Sequence, residues 1–505
     1  IPWAVHGANQ DAREAGMLCG LALALASHGA PLYRVEHRIS MAADELGIPI
    51  SIFSLPSTLM ISVGDGSLRH PSRTQYLSVS LAFNMSKLHE ADQLAKRISE
   101  IRTRKVATAG DGAGLAGGGG GGGGGRRGSA FAGRGSVVGM GRSSVVGGRS
   151  SVAMGKARVP PPPIDEILTK LDAINQEDGY PVIVRILASA VQSAMIAVLL
   201  FRASWADGIA SFVLGAVTGI GVHLSHEYGF EGAIEVLMSI AVSAGAKFLA
   251  QLPFWADVSG TGFGLCTEVT EICAIAQLMP GVTITLGMLE MGSNNPVAGS
   301  VRMFQSFIRT LKLGYGITTG TRVAYYILEI FGGSNAGDVK ACPTSSPSTE
   351  FIELWRSLLF IPMNIAILIL LKANISQWPH MSVASVVGFG VSQVAGRFFK
   401  PDIAAGMAAF AIGTVANIHA RRTNNIAIAA VLAGIFWLVP GGVGVKGAIA
   451  AFSSDSLASG TSFGIDMSTR AMSIAVGLFV ANSLAFPIRV QENQPFSNQD
   501  ILMTV

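Results

Sequence analysis

The pattern of apolar and polar positions divides the chain into three stretches. In the first, apolar positions come in short helical or alternating runs. Residues 11–28 place Ala15, Leu18, Cys19, Ala22, Leu25 and Ala26 at helical spacing. The run is short for a membrane span and charges flank it, so a buried helix of a small domain is predicted. Gly29-Ala30-Pro31 ends it. A second, amphipathic helix is predicted over 32–46, with Val35, Ile39, Ala42 and Leu46 on one face. Ile48–Leu55 and Leu59–Val63 read as short strands separated by Pro56-Ser57, and Gly64-Asp65-Gly66 as a turn. Gln75–Leu81 is a third strand and Leu88–Ile101 a final helix. Residues 1–105 are therefore expected to form a small soluble α/β head. It shows no nucleophile elbow, Walker loop or metal cluster.

The second stretch, 106–163, has no periodicity. Gly117–Gly125 is an unbroken glycine run, which offers no side chain to bury and loses the most backbone entropy on ordering. Three near-copies of a basic serine motif follow, at Arg134-Gly135-Ser136, Arg142-Ser143-Ser144 and Arg149-Ser150-Ser151. They suit either a basophilic kinase or a solvated, mildly basic tether. Pro160–Pro163 stiffens the chain as polyproline.

The third stretch is a series of long apolar runs. A span needs about 20 mainly apolar residues to cross ~30 Å of hydrocarbon. Candidates lie at 182–201, 207–226, 232–252, 262–281, 309–331, 351–372, 381–399, 402–419, 425–441 and 468–488. Small residues crowd them, as at Gly215, Gly219 and Gly221 or Gly388, Gly390 and Gly396, which favours close helix packing in lipid. The series also repeats. Leu278-Met279-Pro280-Gly281 recurs as Leu438-Val439-Pro440-Gly441. Ala298-Gly299-Ser300 and Ala458-Ser459-Gly460 follow at the same distance. Ala210-Ser211-Phe212-Val213 recurs as Ala384-Ser385-Val386-Val387, and Arg185 and Arg356 lead the two first spans. An odd number of spans per copy forces the second to insert from the opposite side. The expected fold is an α-helical polytopic membrane protein of about ten transmembrane helices in a 5+5 inverted repeat. The first repeat covers 164–341 and the second 342–505.

Composition agrees. Half the residues are apolar, 13% are charged and mean hydropathy is +0.47. A soluble protein carries roughly a quarter charged residues. Net charge is +4 with no basic stripe, so nucleic acid is not an expected partner. Cys19, Cys266, Cys273 and Cys342 form no CxxC or disulfide framework, and Cys266 and Cys273 read as small core residues. No cofactor or metal is expected. Ile1-Pro2-Trp3 has neither Met nor a cleavable signal and reads as the start of a fragment. The basic segment 96–158 before the first span favours a cytosolic head in a plasma or organelle membrane. Arg421-Arg422 and Arg489 then fall inside, but Arg397, Lys400 and Lys446 fall outside.

Pro280-Gly281 and Pro440-Gly441 interrupt apolar runs too long for one span. Proline removes a backbone donor, and unpaired backbone at membrane depth survives only beside protein or a water-filled cavity. Matched breaks either mark a transport site or are ordinary kinks. A charge at the bilayer centre costs about 2.5–3.5 kcal/mol. Glu268 and Glu271 sit one turn apart, placed by their spacing on one helix face. They either carry a proton and a substrate ammonium, or lie solvated near a surface. Lys247, Arg309, Lys312 and Arg322 are candidate counter-charges. Asn364 and Asn417 are polar groups that line a path or join helices, and His223 and His226 read as interfacial.

These residues resemble the threonine/serine exporter family. Leu18-Cys19-Gly20 through His28-Gly29-Ala30-Pro31-Leu32-Tyr33-Arg34-Val35-Glu36 is similar to its head signature, and the Leu-x-Pro-Gly turns at 278–281 and 438–441 to those of its two halves. Glu290 stands where the bacterial pattern reads Arg-Asp. The resemblance implies proton-coupled or gradient-driven export of small amino acids such as threonine and serine, or of dicarboxylates. The expected partners are a small polar solute and the bilayer, a homo-oligomer is compatible, and no enzymatic activity is implied. A membrane-anchored protein with a hydrolytic or signalling head, with His28 and Glu36 as candidates, is the rival reading, and a structural or fusion factor a third.

Overall fold

The computed structural model describes residues 10–64, 72–80, 82–98, 164–176, 179–252, 265–293, 295–331, 357–423, 426–438, 441–453 and 457–485. The linker, Cys342 and Pro440 lie outside them.

The head opens with α1 (Gln10–Ser27) and α2 (Leu32–Leu46), close to the expected limits. Between them Gly29 adopts φ +102°, and a Cβ there would meet the Phe83 ring at 2.9 Å. Only glycine takes this turn without strain. A three-stranded antiparallel meander follows, β1 (Ile50–Leu55), β2 (Thr58–Val63) and β3 (Arg73–Ser78), with Ile52 opposite Ile61 and Leu59 opposite Leu77. A helix over 85–98, α3, completes the predicted set. Met17, Leu18, Leu21, Leu25, Ile39, Leu59, Ile61 and Leu88 form its dry centre. The next helix, α4 (Ile164–Gln176), begins the stretch assigned above to the first membrane repeat, yet it packs on α1 and buries Ile167, Leu168, Leu171 and Ile174.

The rest is helical: α5 (Val182–Met195, continued by a π turn to Leu200), α6 (Trp205–Tyr228), α7 (Ile234–Ala250), α8 (Thr267–Ala274), α9 (Gly281–Gly292) and α10 (Pro296–Ile330), then α11 (Phe360–Leu370), α12 (Trp378–Ala395), α13 (Pro401–Thr423), α14 (Ala427–Ile435), α15 (Gly441–Ser453) and α16 (Leu457–Ala485). Among the described residues, four helices are long and apolar enough to cross a membrane: 182–200, 205–228, 401–423 and 464–485. The pair Thr267–Ala274 and Ala276–Gly292, bent by 49° at Ile275, five residues before the expected break at Pro280, makes a fifth if counted as one broken span. The chain is a multi-pass membrane protein. Its outward side chains are those a bilayer receives, among them Phe212, Val213, Phe304, Ile361, Val386 and Ile403.

Two helix pairs pack alike. Helix α7 lies along α10, and α13 along α16. Gly316 approaches so closely that a Cβ would lie 2.6 Å from Ser239, and one on Gly477 2.2 Å from the Gly406 carbonyl. Gly316 stands as far from Pro296 as Gly477 from Leu457, and Ser239 as far from Ile234 as Gly406 from Pro401. Ion pairs match too. Glu235, at the start of α7, meets Arg309 (3.2 Å) and Lys312 (3.1 Å); Asp402, at the start of α13, meets Arg470 (3.1 Å). Arg309 and Arg470 occupy the same position along their helices.

Candidate functional site: two buried carboxylates on a broken helix

The broken pair α8/α9 carries the site. Helix α8 ends at Ala274 with Ile275 as its C-cap; the chain then passes through a 3-10 turn (Ala276–Leu278) and restarts with Pro280 as the N-cap of α9, a position that needs no proline N–H. Thr267, Thr270, Glu271 and Ala274 form its buried stripe, at spacings of three and four.

At the α8 end, Lys247 reaches across from the last turn of α7. Its Nζ donates to Thr267 Oγ1 at 2.6 Å and lies 3.2 Å from Glu271 Oε1. It also faces the Tyr325 ring, 5.7 Å from its centroid. Lys247 is 7% and Glu271 3% exposed. The start of α8 is fixed by buried Asp207, whose Oδ1 accepts the Cys266 N–H at 2.7 Å and whose Oδ2 accepts from the Ser204 hydroxyl at 2.8 Å. Glu268 does not share this setting. It is exposed, about 60° round the helix from Glu271 and just outside the buried stripe, so the expectation of one shared face gives way to one buried and one exposed carboxylate.

At the α9 end sits a second carboxylate. Glu290 is fully buried and binds Arg302 through both oxygens: Nε donates to Oε2 at 2.8 Å and Nη2 to Oε1 at 2.9 Å. Oε1 also accepts the Leu32 N–H of the head at 3.1 Å. Leu32 opens α2, so the carboxylate meets the positive end of that helix. Asn295 donates to Glu36 Oε2 at 3.1 Å, and the Ser54 hydroxyl bonds the other Glu36 oxygen. Burial pushes the Glu36 carboxyl up, partly offset by these two bonds. Nearby, burial pushes Asp92 up, but Arg34, Arg38 and Lys96 more than reverse this and hold it below the usual carboxylate range. The head thus seats Gly29–Glu36 on the α9 end of the broken helix. Sequence spacing did not pair Glu290 with Arg302. Their signal was present: two opposite charges bracketing the end of an apolar run.

The remaining candidates scatter. Gly281 is buried at the start of α9, and Gly441 starts α15. Asn364 donates to Ser382 at 2.9 Å, joining α11 to α12. Asn417 is fully buried with neither side-chain atom hydrogen-bonded. Arg309 and Lys312 serve Glu235 rather than the α8 carboxylates, and Arg322 is exposed. His223 and His226 pair with Glu227 and Glu231. Cys273 is a free buried thiol and Cys266 is buried, both as expected of core residues, but Cys266 is disulfide-bonded, which corrects the expectation of no disulfide. Spacing could not reveal this, because a bridge depends on how loops fold back.

Residues 17–108 and 159–324 match the family described as "Putative threonine/serine exporter", and residues 358–484 a second one described as "Threonine/Serine exporter, ThrE". The chain belongs to the threonine/serine exporter family. Among its relatives, pheromone-regulated membrane protein 10 of Saccharomyces cerevisiae (strain S288c) is 30% identical over 355 residues, covering 66% of this chain and 88% of that protein. The protein of that name from strain YJM789 is 27% identical over 495 residues, covering 94% of this chain and 54% of the relative. The one from Candida glabrata is 26% identical over 496 residues, with 94% and 53% covered. The chain spans about half the length of most of these relatives. No solved structure matches it. Within the exporter family match, the first region covers the head together with both buried carboxylates, and it ends within α10.

Proposed function

We propose that the chain is a secondary transporter that exports small amino acids such as threonine and serine, with dicarboxylates as the alternative cargo. The Lys247–Glu271 pair would be its exchangeable site. The observation that carries this reading is a lysine–carboxylate pair with a hydroxyl beside it, held among apolar helices at the start of a broken span. An amino acid carries the same two charges. Its ammonium can replace Lys247 on Glu271, while its carboxylate takes Lys247 and the Thr267 hydroxyl, so no charge is left unpaired in the exchange. When the site is empty, Glu271 can take a proton, which supplies coupling.

The proposed frame is ten spans in two halves of opposite insertion. The matched contacts of α7/α10 and α13/α16 support it. So does the antiparallel packing of α5 on α11: Tyr180, just before α5, donates to the carbonyl of Ala373, just after α11, at 2.6 Å. The Pro-Gly pairs at 280–281 and 440–441 then stand at corresponding points of the two halves in sequence. Three crossings separate Tyr180 from Cys266, so the disulfide falls at the end away from the head. Disulfides persist in oxidising compartments, which favours a cytosolic head.

The test is flux in proteoliposomes. Purified protein loaded with labelled threonine, serine or succinate should release at least one of them, faster with an inward proton gradient. Absence of flux for all three, with correctly inserted protein, would overturn the transporter reading. Flux indifferent to the gradient would remove the coupling role of Glu271.

A further inference from the structure

One turn from Lys247, the seam between α7 and α10 carries a second polar contact, which the transport reading leaves idle. Gly320 of α10 has no side chain to hold α7 away: a Cβ there would lie 2.5 Å from the Ile240 carbonyl and 3.0 Å from Ser243 Cβ. At this close approach Ser243 Oγ donates to the Ile317 carbonyl at 3.0 Å and stands 2.8 Å from Thr321 Oγ1. Four residues on, Lys247 faces the Tyr325 ring, 5.7 Å from its centroid. Residues four apart share a helix face, with Cβ atoms about 5–6 Å apart. Ser243 with Thr321 and Lys247 with Tyr325 are therefore successive rungs of one seam.

The hydroxyl pair differs from its neighbours in direction. A serine or threonine within a helix commonly returns its proton to the carbonyl one turn back. Ser239 does so on α7, and Thr310 and Thr318 on α10. Ser243 and Thr321 instead turn across the seam. The order of their protons follows. Ser243 has one, and the Ile317 carbonyl takes it, so Thr321 supplies the proton of the 2.8 Å bond. A hydroxyl oxygen accepts at two positions, and Thr321 Oγ1 keeps both. Ser243 is fully buried and Thr321 half-buried, so the chain of hydroxyls ends in an acceptor at its accessible end. Hydroxyl pairs also serve to join helices in membranes. Joining alone needs neither that acceptor nor its place one turn from a lysine–carboxylate pair.

We propose that Thr321, held in place by Ser243, reads the side-chain hydroxyl of the cargo and so selects hydroxyl-bearing amino acids over apolar isosteres and over dicarboxylates. The assignment rests on the transport reading of Lys247 and Glu271. With the cargo ammonium on Glu271 and its carboxylate on Lys247, the side chain of a serine or threonine covers the single turn to Thr321, and its O–H donates to Oγ1. Ser243 sets the polarity: because its own proton is committed to the Ile317 carbonyl, Thr321 gives its proton to Ser243 and can only accept from the cargo. Valine has the shape of threonine without the donor. A site that hydrogen-bonds a substrate hydroxyl rejects the analogue lacking it far more strongly than a site defined by size alone. A second carboxylate would bring acceptor oxygens against an acceptor.

Flux of labelled threonine and valine, measured side by side in proteoliposomes of the purified full chain, tests it. The wild type should move threonine at least about tenfold faster than valine. Thr321→Val keeps the shape of the side chain and removes the acceptor, so the two rates should come within about twofold of each other, with valine flux no lower than in the wild type. That retained valine flux excludes misfolding as the cause. Thr321→Ser keeps the hydroxyl and should keep the preference. Equal rates for the two amino acids in the wild type would overturn the assignment without any variant. So would an unchanged preference in Thr321→Val, or a parallel loss of both fluxes there at unchanged Tm, the result expected of a merely structural contact. Each of these leaves the transport reading standing. A wild type that moves neither amino acid would remove the assignment together with that reading.

Discussion

The two ends of the broken helix carry the same residue type in opposite circumstances. Glu290 has an arginine on both oxygens and a backbone N–H besides, with no exposure. Glu271 has one lysine, which it shares with Thr267. A guanidinium is a rigid planar fork, always charged, and matches a carboxylate bidentately. An ammonium is a compact point charge on a flexible stem. The first arrangement suits a permanent joint and the second a contact that opens and reforms. On the proposed reading, holding and exchanging are separated along a single interrupted span, with the joint at the end where the head docks.

The largest expected effect comes from breaking the joint. Removing one partner of a buried ion pair typically costs about 3–5 kcal/mol, because the other charge remains without water or partner. Arg302→Met should therefore lower the Tm of the purified protein by several degrees and make the head sensitive to proteolysis. Arg302→Lys should recover little of this, since it cannot bridge both oxygens. A charge-free pair, Glu290→Gln with Arg302→Met, should be milder than Arg302→Met alone. If Arg302→Met leaves Tm and proteolysis unchanged, Glu290 does not hold the head.

Breaking the exchangeable contact should act on transport more than on folding. Glu271→Gln keeps the shape and can still bond Lys247, but cannot titrate. Gradient-driven flux should fall at least tenfold, about 1.4 kcal/mol in barrier terms, with a smaller loss of Tm than in Arg302→Met, because the Gln oxygen still accepts from the Lys247 ammonium. Lys247→Met should raise the substrate concentration needed for half-maximal flux. Unchanged flux in both would leave the pair as a structural contact like that of Glu290.

A smaller effect concerns the seating of the head. His28 is pushed down to about 4 from its usual 6.5, mainly by burial and then by Lys87, against a backbone bond to Ala24 that pushes it up. The unfolded chain takes up a proton near 6.5, whereas the folded one does so only near 4. Between those values the unfolded state binds more protons, so the stabilisation present above pH 6.5 is lost as pH falls toward 4. His28→Asn should flatten that stretch of a Tm-against-pH curve. The Asp92 contribution has a different window. Its folded value is depressed, so its share persists above the ordinary carboxylate range and fades only in stronger acid.

Much of the head could be read from periodicity. The 3.6-residue apolar spacing of α1 and α2 and the Pro56-Ser57 hairpin are local, and local patterns fix local structure. The long apolar runs were legible for the same reason; that the fourth is interrupted was legible too, but the bend falls at Ile275 rather than at Pro280. The partners were not. Arg309 and Lys312 appeared as candidate counter-charges for Glu268 and Glu271, but they serve Glu235, because the tight Gly316–Ser239 approach brings α10 against the start of α7. Glu290 appeared only as a departure from a pattern. Its role depends on Leu32, 258 residues away in sequence, where α2 begins and offers an N–H with no partner inside the helix. Docking of one region on another leaves no periodic trace in either.

Glu268 offers the finest test, because the expected effect is close to nothing. It lies one residue beyond Thr267 and three before Glu271, so sequence alone gives it equal standing with its neighbour. The structure puts it on the exposed side of α8. An exposed surface substitution usually changes stability by no more than about 0.5 kcal/mol, and a group off the buried stripe has no Lys247 to release. Glu268→Gln should therefore leave Tm and gradient-driven flux within about twofold of wild type under conditions where Glu271→Gln abolishes coupling. Equal losses in the two variants would mean that both carboxylates act together, as their spacing first suggested. The contrast between a satisfied joint and a single exchangeable pair would then have to be redrawn around a dyad.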